Sequence, residues 1–215
     1  MRKSVTKIAM VLVLSAAMVA CSKDEETIVV PVSAITVKDL AADTVTGLGV
    51  DGRPQSAGTT TYYSLVDNKV IASTDASTTK WDIAFSSTKI LVNNGTSGPG
   101  LGGAFVFKGL FDDLKTIPTD STFATDNANA ASFAIPFGSG RGWYTYDGLT
   151  TLVNPIAGRV LVIRTAAGKY AKVEILNYYK GGVTLSANAS VNDKLFKQRY
   201  YTFRYAYQPS GSTTF

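Results

Sequence analysis

Lys80–Phe105 reads KWDIAFSSTKILVNNGTSGPGLGGAF. Trp81, Ile83 and Phe85 alternate with Asp82 and Ala84, the period-two spacing of a half-buried strand. Ser86, Ser87 and Thr88 supply a short polar turn, and Ile90-Leu91-Val92 a second strand. Asn94-Gly95 brings residues that tolerate a positive φ, as a tight reversal requires. Gly98, Gly100, Gly102 and Gly103, crossed by Pro99, then lead into a third apolar run, Ala104-Phe105-Val106-Phe107. Two strands and a glycine-rich connection to a third, with no helical period, predict an antiparallel β architecture.

The same grammar extends in both directions. Upstream, Ile35-Thr36-Val37 predicts an extended segment, residues 41–59 a polar loop turning at Asp51-Gly52, and residues 60–66 and 69–73 a hairpin around Asp67-Asn68. Downstream, residues 108–119 contain one irregular helical turn, residues 120–129 read as exposed, and a loop is expected over 147–158. Residues 159–165 and 170–179 make the clearest hairpin, closed by Ala166-Ala167-Gly168-Lys169. Ala171, Val173 and Ile175 share one face there, and the unbroken Val160-Leu161-Val162-Ile163 suits a strand covered on both sides. In the last strand Tyr201, Phe203, Tyr205 and Tyr207 point one way into the core, with their hydroxyls expected at the surface. Many short strands, no sustained amphipathic helix and no fixed-period repeat predict a single all-β, sandwich-like domain of mostly antiparallel strands.

The composition agrees. Of 215 residues 45% are hydrophobic, including 11 Tyr and 10 Phe, enough for a core and weighted toward strand formers. The net charge of +5 is inflated by Arg2, Lys3 and Lys7, which belong to an N-terminal leader; 18 basic residues then face 16 acidic ones. With no basic block left, a nucleic-acid partner is excluded.

Residues 1–20 have a basic start and an apolar stretch from Ile8 to Ala20, the layout of a signal peptide. The stretch ends Met18-Val19-Ala20-Cys21, small residues before the only cysteine of the chain. This resembles a lipobox, so Cys21 is the expected lipidation site. Residues 21–57 would then be the lipidated Cys, an acidic tether (Ser22-Lys23-Asp24-Glu25-Glu26) and an N-terminal extended segment. Residues 58–215 would be the β domain, anchored to a membrane by lipid and not crossing it.

The landmarks KWDIAF (Lys80–Phe85), NNGTSGPGLGGA (Asn93–Ala104), IPTD (Ile117–Asp120), GRGW (Gly140–Trp143), RVLVIRTAAGKYAKV (Arg159–Val173) and YTFRYAY (Tyr201–Tyr207) stand in this order behind the lipobox. Together they resemble the HmuY family, surface lipoproteins that bind haem. The resemblance implies a hand-shaped β fold, haem held between two loop segments, and iron gripped by paired His or paired Met side chains. One ligand would lie between IPTD and GRGW, the other just after the Trp of GRGW. It also implies an outer-membrane, cell-surface location and delivery of the haem to a TonB-dependent receptor.

Neither axial ligand can be carried over. The chain has no His, and Met1, Met10 and Met18 all precede Cys21. Three readings stay open. Tyr144 or Tyr146 could ligate ferric haem as phenolate, with Trp143 beside them. Haem could be held by apolar contacts with Arg141 or Lys172 near its propionates. Or haem has been lost in favour of another flat ligand, a glycan or a protein partner on the same scaffold. No catalytic residue is expected. Without His there is no Ser-His dyad, Gly98-x-Gly100-x-x-Gly103 precedes a strand rather than a helix, and no His/Cys metal site can form.

Overall fold

The computed structural model describes residues 32–129 and 132–215. The leader, Cys21 and the whole acidic tether lie outside the described residues. Four sheets hold the strands. The largest joins β1 (Ile35–Ala41), β8 (Gly103–Lys108), β11 (Arg159–Arg164), β12 (Tyr170–Tyr179) and β13 (Gln198–Gln208) in the order β1-β13-β12-β11-β8. The second joins β4 (Thr61–Ser64), β5 (Lys69–Ile71), β6 (Ile83–Ser86) and β7 (Lys89–Val92) in the order β5-β4-β6-β7. Two hairpins complete the set: β2 (Val45–Leu48) with β3 (Pro54–Ser56), and β9 (Tyr144–Asp147) with β10 (Leu152–Pro155). Every pairing is antiparallel. Among the described residues the α-helix is one short element, α1 (Val191–Phe196).

The two large sheets share one core. Tyr63, Ile83, Phe85, Ile90 and Val92 of the smaller sheet pack against Leu161, Ile163, Val173, Ile175, Tyr201, Phe203 and Tyr205 of the larger. The register makes this consistent, since Val173 lies opposite Tyr205 and Ile175 opposite Phe203. The expected two-sided burial of β11 follows from its alternation. Leu161 and Ile163 enter this core, while Val160 and Val162 enter a second one with Phe111, Leu114 and Ile117. The C-terminal tail completes the second core. The Phe215 ring packs there, the Phe215 N–H donates to Lys115 O at 2.7 Å, and Thr213 O accepts from Ile117 N at 2.9 Å. Val32 covers the same outer face.

Several expectations are corrected. Residues 41–59 are not only loop; Val45 pairs with Ser56 and Leu48 with Pro54 around the Asp51-Gly52 turn. A hairpin this short and polar leaves no periodic signal. Residues 147–158 hold β10, which pairs with β9 and whose Leu152 and Val153 are buried in the main core. Trp81 precedes β6 instead of continuing it, so its ring joins Ile71 and Ala84 in a separate cluster and not Ile83 and Phe85. Asp126 is fully buried inside a run expected to be exposed. Lys172 is also buried: its Nζ donates to Phe111 O at 2.9 Å and Leu114 O at 2.7 Å, and burial pushes the ammonium below its ordinary range. Tyr201 and Tyr205 do not send their hydroxyls to solvent. Tyr201 donates to Ser87 O at 2.7 Å and Tyr205 to Asn68 Oδ1 at 3.1 Å.

Candidate functional site

The two segments singled out by the sequence, one before and one after Trp143, meet in the structure. The Gly140 N–H donates to Tyr144 O at 2.8 Å, and the Tyr146 N–H donates to Ser139 Oγ at 2.8 Å. Gly142 permits the approach, because a Cβ there would stand 2.4 Å from Pro136 O. Upstream, the buried carboxylate of Asp126 fastens the run to the smaller sheet. Its Oδ1 accepts from Ala134 N at 2.9 Å and its Oδ2 from Val92 N at 2.9 Å.

β9 carries its side chains across the boundary between core and solvent. Trp143 is buried, donates from Nε1 to Thr88 O at 2.9 Å, and packs on Tyr144, Tyr178 and Tyr201 with centroids 4.9, 5.4 and 5.2 Å away. Tyr144 is 6% exposed, and its hydroxyl oxygen accepts from Thr88 Oγ1 at 3.3 Å. Tyr146, two residues on and so on the same side of the strand, is 50% exposed. Arg141 is exposed at the turn before β9, where its carbonyl accepts from Arg159 Nη1 at 3.5 Å. Of the four residues, Trp143 and Tyr144 are thus built into the core, and Tyr146 and Arg141 face solvent.

The hairpin tip is held by groups that sequence reasoning missed. Asp147 accepts from Leu149 N at 2.9 Å and Thr150 Oγ1 at 2.7 Å, and the Thr150 bond holds its carboxyl below the usual range. Lys194 on α1 donates to Thr150 O at 2.8 Å and Ala187 O at 2.6 Å, which latches the tip to the helix. At the base, Val153 N donates to Tyr179 Oη at 2.8 Å. Asp147 followed by Thr150 carries a local turn signal; the lysine and the tyrosine act across long sequence gaps and carry none. Apolar side chains stand in solvent on these same elements: Phe137 before the turn, Leu149 at the tip and Val191 on α1.

The arrangement therefore offers one solvent-facing phenol, exposed apolar side chains on the flanking elements and an arginine on the adjoining turn. That fits a flat apolar ligand with anionic edges and a single oxygen donor for its metal. It does not fit paired His or paired Met ligation, because neither residue type occurs after Met18. Among the described residues no cluster of His, Cys, Asp or Glu could hold a bare metal ion, and no helix is long and apolar enough to cross a membrane.

The profile of the family described as HmuY protein matches residues 56–192, well over half of the chain. A candidate lipoprotein from Bacteroides fragilis NCTC 9343 superposes with a TM-score of 0.50 at 15% identity, covering 82% of this chain and 91% of that one. An apo HmuY analogue from Tannerella forsythia gives 0.45 at 14% identity over 83% and 96% of the two chains. A candidate HmuY-like haem-binding protein from Bacteroides vulgatus ATCC 8482 gives 0.45 at 16% identity over 80% and 89%. At these identities the likeness is one of fold. No curated protein matches the chain.

Proposed function

The chain belongs to the HmuY family, and from that premise we propose that it is a haem- or porphyrin-capturing lipoprotein whose single axial donor is the Tyr146 phenolate. Family membership carries the reading. The meeting of residues 132–140 with β9, which leaves Tyr146 exposed between the two loop segments, supports the choice of donor. HmuY-like proteins are binding proteins, and a chain without His has no Ser-His dyad. A phenolate oxygen is a hard anionic donor suited to ferric iron, as in catalase. The apolar side chains beside it would cover part of the macrocycle, and Arg141 would pair with a propionate. Trp143 and Tyr144 then position the strand and do not touch the ligand.

In the same reading the leader is removed before Cys21, which is acylated, and residues 21–57 space the β domain from the outer membrane. The protein stands at the cell surface and passes its cargo to a TonB-dependent receptor. Single-donor ligation suits a carrier that must release haem again.

A visible-absorption titration of residues 22–215 with ferric haem tests this. The expected result is a saturable Soret shift that falls at least about tenfold in affinity in Tyr146→Phe and persists in Tyr144→Phe. The proposal is overturned if no shift occurs, or if Tyr146→Phe binds as well as the parent.

A further inference from the structure

At the other end of the sandwich, where the glycine-rich loop leaves β7, lies an open depression of about 500 Å³. It falls within the roughly 300–1,000 Å³ of small-molecule sites. Tyr62 and Pro99 give it rigid apolar surface, and Ser77, Thr96, Ser97 and the backbone of Gly98 its polar groups. Not one lining residue is charged. The Ser97 hydroxyl is turned to the Asp126 carboxylate. Among the described residues, no hydrogen bond engages the side-chain hydroxyls of Tyr62, Ser77 or Thr96.

Both walls are fixed before any ligand arrives. Asn93, fully buried, donates from Nδ2 to Thr78 O at 2.9 Å and Trp81 O at 2.8 Å, and its Oδ1 accepts from Gly100 N at 2.9 Å. One side chain thus ties the wall bearing Ser77 to the loop bearing Thr96 and Pro99. Trp81 Nε1 donates to Ala76 O at 2.8 Å, and Thr96 N to Asp126 O at 3.0 Å. The Trp81 ring meets that of Tyr62 edge-on at 5.0 Å and holds it in place. Gly98 must be glycine, since a Cβ would lie 2.2 Å from Asn93 Oδ1.

We propose that this depression is a second binding site, for a neutral saccharide. A lining without charge gives no counter-ion to an ionic ligand, whose desolvation would go uncompensated. Free hydroxyls that can donate or accept, beside an aromatic ring with a polar tip, suit a ligand that alternates hydroxyl groups with an apolar C–H face. That is a pyranose ring. The open mouth admits one or two residues of a longer glycan, and walls already ordered spare the entropy that a mobile loop would lose on binding.

The test is an amide-resolved NMR titration of the purified protein with maltose, cellobiose, N-acetylglucosamine and methyl α-mannoside, and with glucuronate as the charged contrast. The expected outcome is a saturable millimolar response from at least one neutral sugar, confined to the amides of residues 62, 76–78, 95–98 and 100, with none from glucuronate. Tyr62→Phe, which keeps the ring on Trp81, should weaken it about fivefold. Thr96→Lys, at an exposed position, should abolish it while the other amides stay unmoved. No response to any neutral sugar at about 50 mM, or a response that survives Thr96→Lys, overturns the proposal.

Discussion

Asp126 shows how much one side chain can govern. It lies in a run of polar residues, TDNAN, with nothing in the local pattern to distinguish it from its neighbours, yet it is wholly buried and accepts from two backbone N–H groups far apart in sequence. Replacing it by Ala leaves the Val92 and Ala134 donors without an acceptor, each at about 1–3 kcal/mol. Asp126→Ala should therefore lose about 2–4 kcal/mol of stability, read from a denaturant midpoint, and proteolytic cleavage should concentrate at residues 127–133. An unchanged midpoint would remove Asp126 from its role as the clasp. Tyr144 and Tyr146 teach a related lesson. The sequence put both beside Trp143, and the structure sets them on one side of β9, with Tyr144 packed inside on Trp143 and Tyr146 outside.

At the scale of elements, the long strands and the β4–β5 hairpin around Asp67-Asn68 were legible in the sequence, and the β2–β3 and β9–β10 hairpins were not. β12 and β13 run for ten and eleven residues, and their alternation repeats often enough to fix both type and facing. β2, β3, β9 and β10 span three or four residues each. At that length burial depends on what lies opposite, which no local window contains. The β9–β10 hairpin depends on just such a distant partner. The Tyr179 hydroxyl is the acceptor for Val153 N, so Tyr179→Phe removes it without changing the ring. We expect a loss of about 1–2 kcal/mol, with amide exchange accelerated at Val153 before it accelerates in β12. Protection at Val153 equal to the parent's would show the hairpin is held by its apolar contacts alone.

Across the whole molecule the two large sheets are tied by a second buried carboxylate. Asp82 Oδ2 accepts from Leu65 N at 2.8 Å in the smaller sheet's connection, and its Oδ1 from Ala166 N at 3.0 Å in the larger's. Neither Asp82 nor Asp126 faces a cation in these bonds. Burial raises both carboxyls above the ordinary 3.8, outweighing the backbone donors that lower them. The folded chain then holds these protons more tightly than the unfolded one. Their contribution to stability is complete below about pH 3.8 and lost as pH rises through the raised values. A carboxyl-resolved NMR titration should find both groups titrating above 3.8, apart from Asp147 and Asp193, which hydrogen bonds hold low. Titration of Asp82 or Asp126 at or below 3.8 would refute this. The HmuY resemblance was visible in ordered landmarks, but the role of KWDIAF was not. Its aspartate is a cross-sheet tie, and its buried tryptophan backs the Tyr62 ring that lines a surface depression.

The direction of β1 has a mechanical consequence. The described chain begins at Val32, next to the strand end where Ile35 pairs with Tyr205, while the β9–β10 hairpin packs by Trp143 against Tyr201, at the other end of β13. A pull entering at Val32 and resisted at that hairpin runs parallel to the strands. The ladder between β1 and β13 is then loaded in shear, its bonds sharing the force rather than parting one after another, and the edge strand nearest the point of traction resists being peeled away.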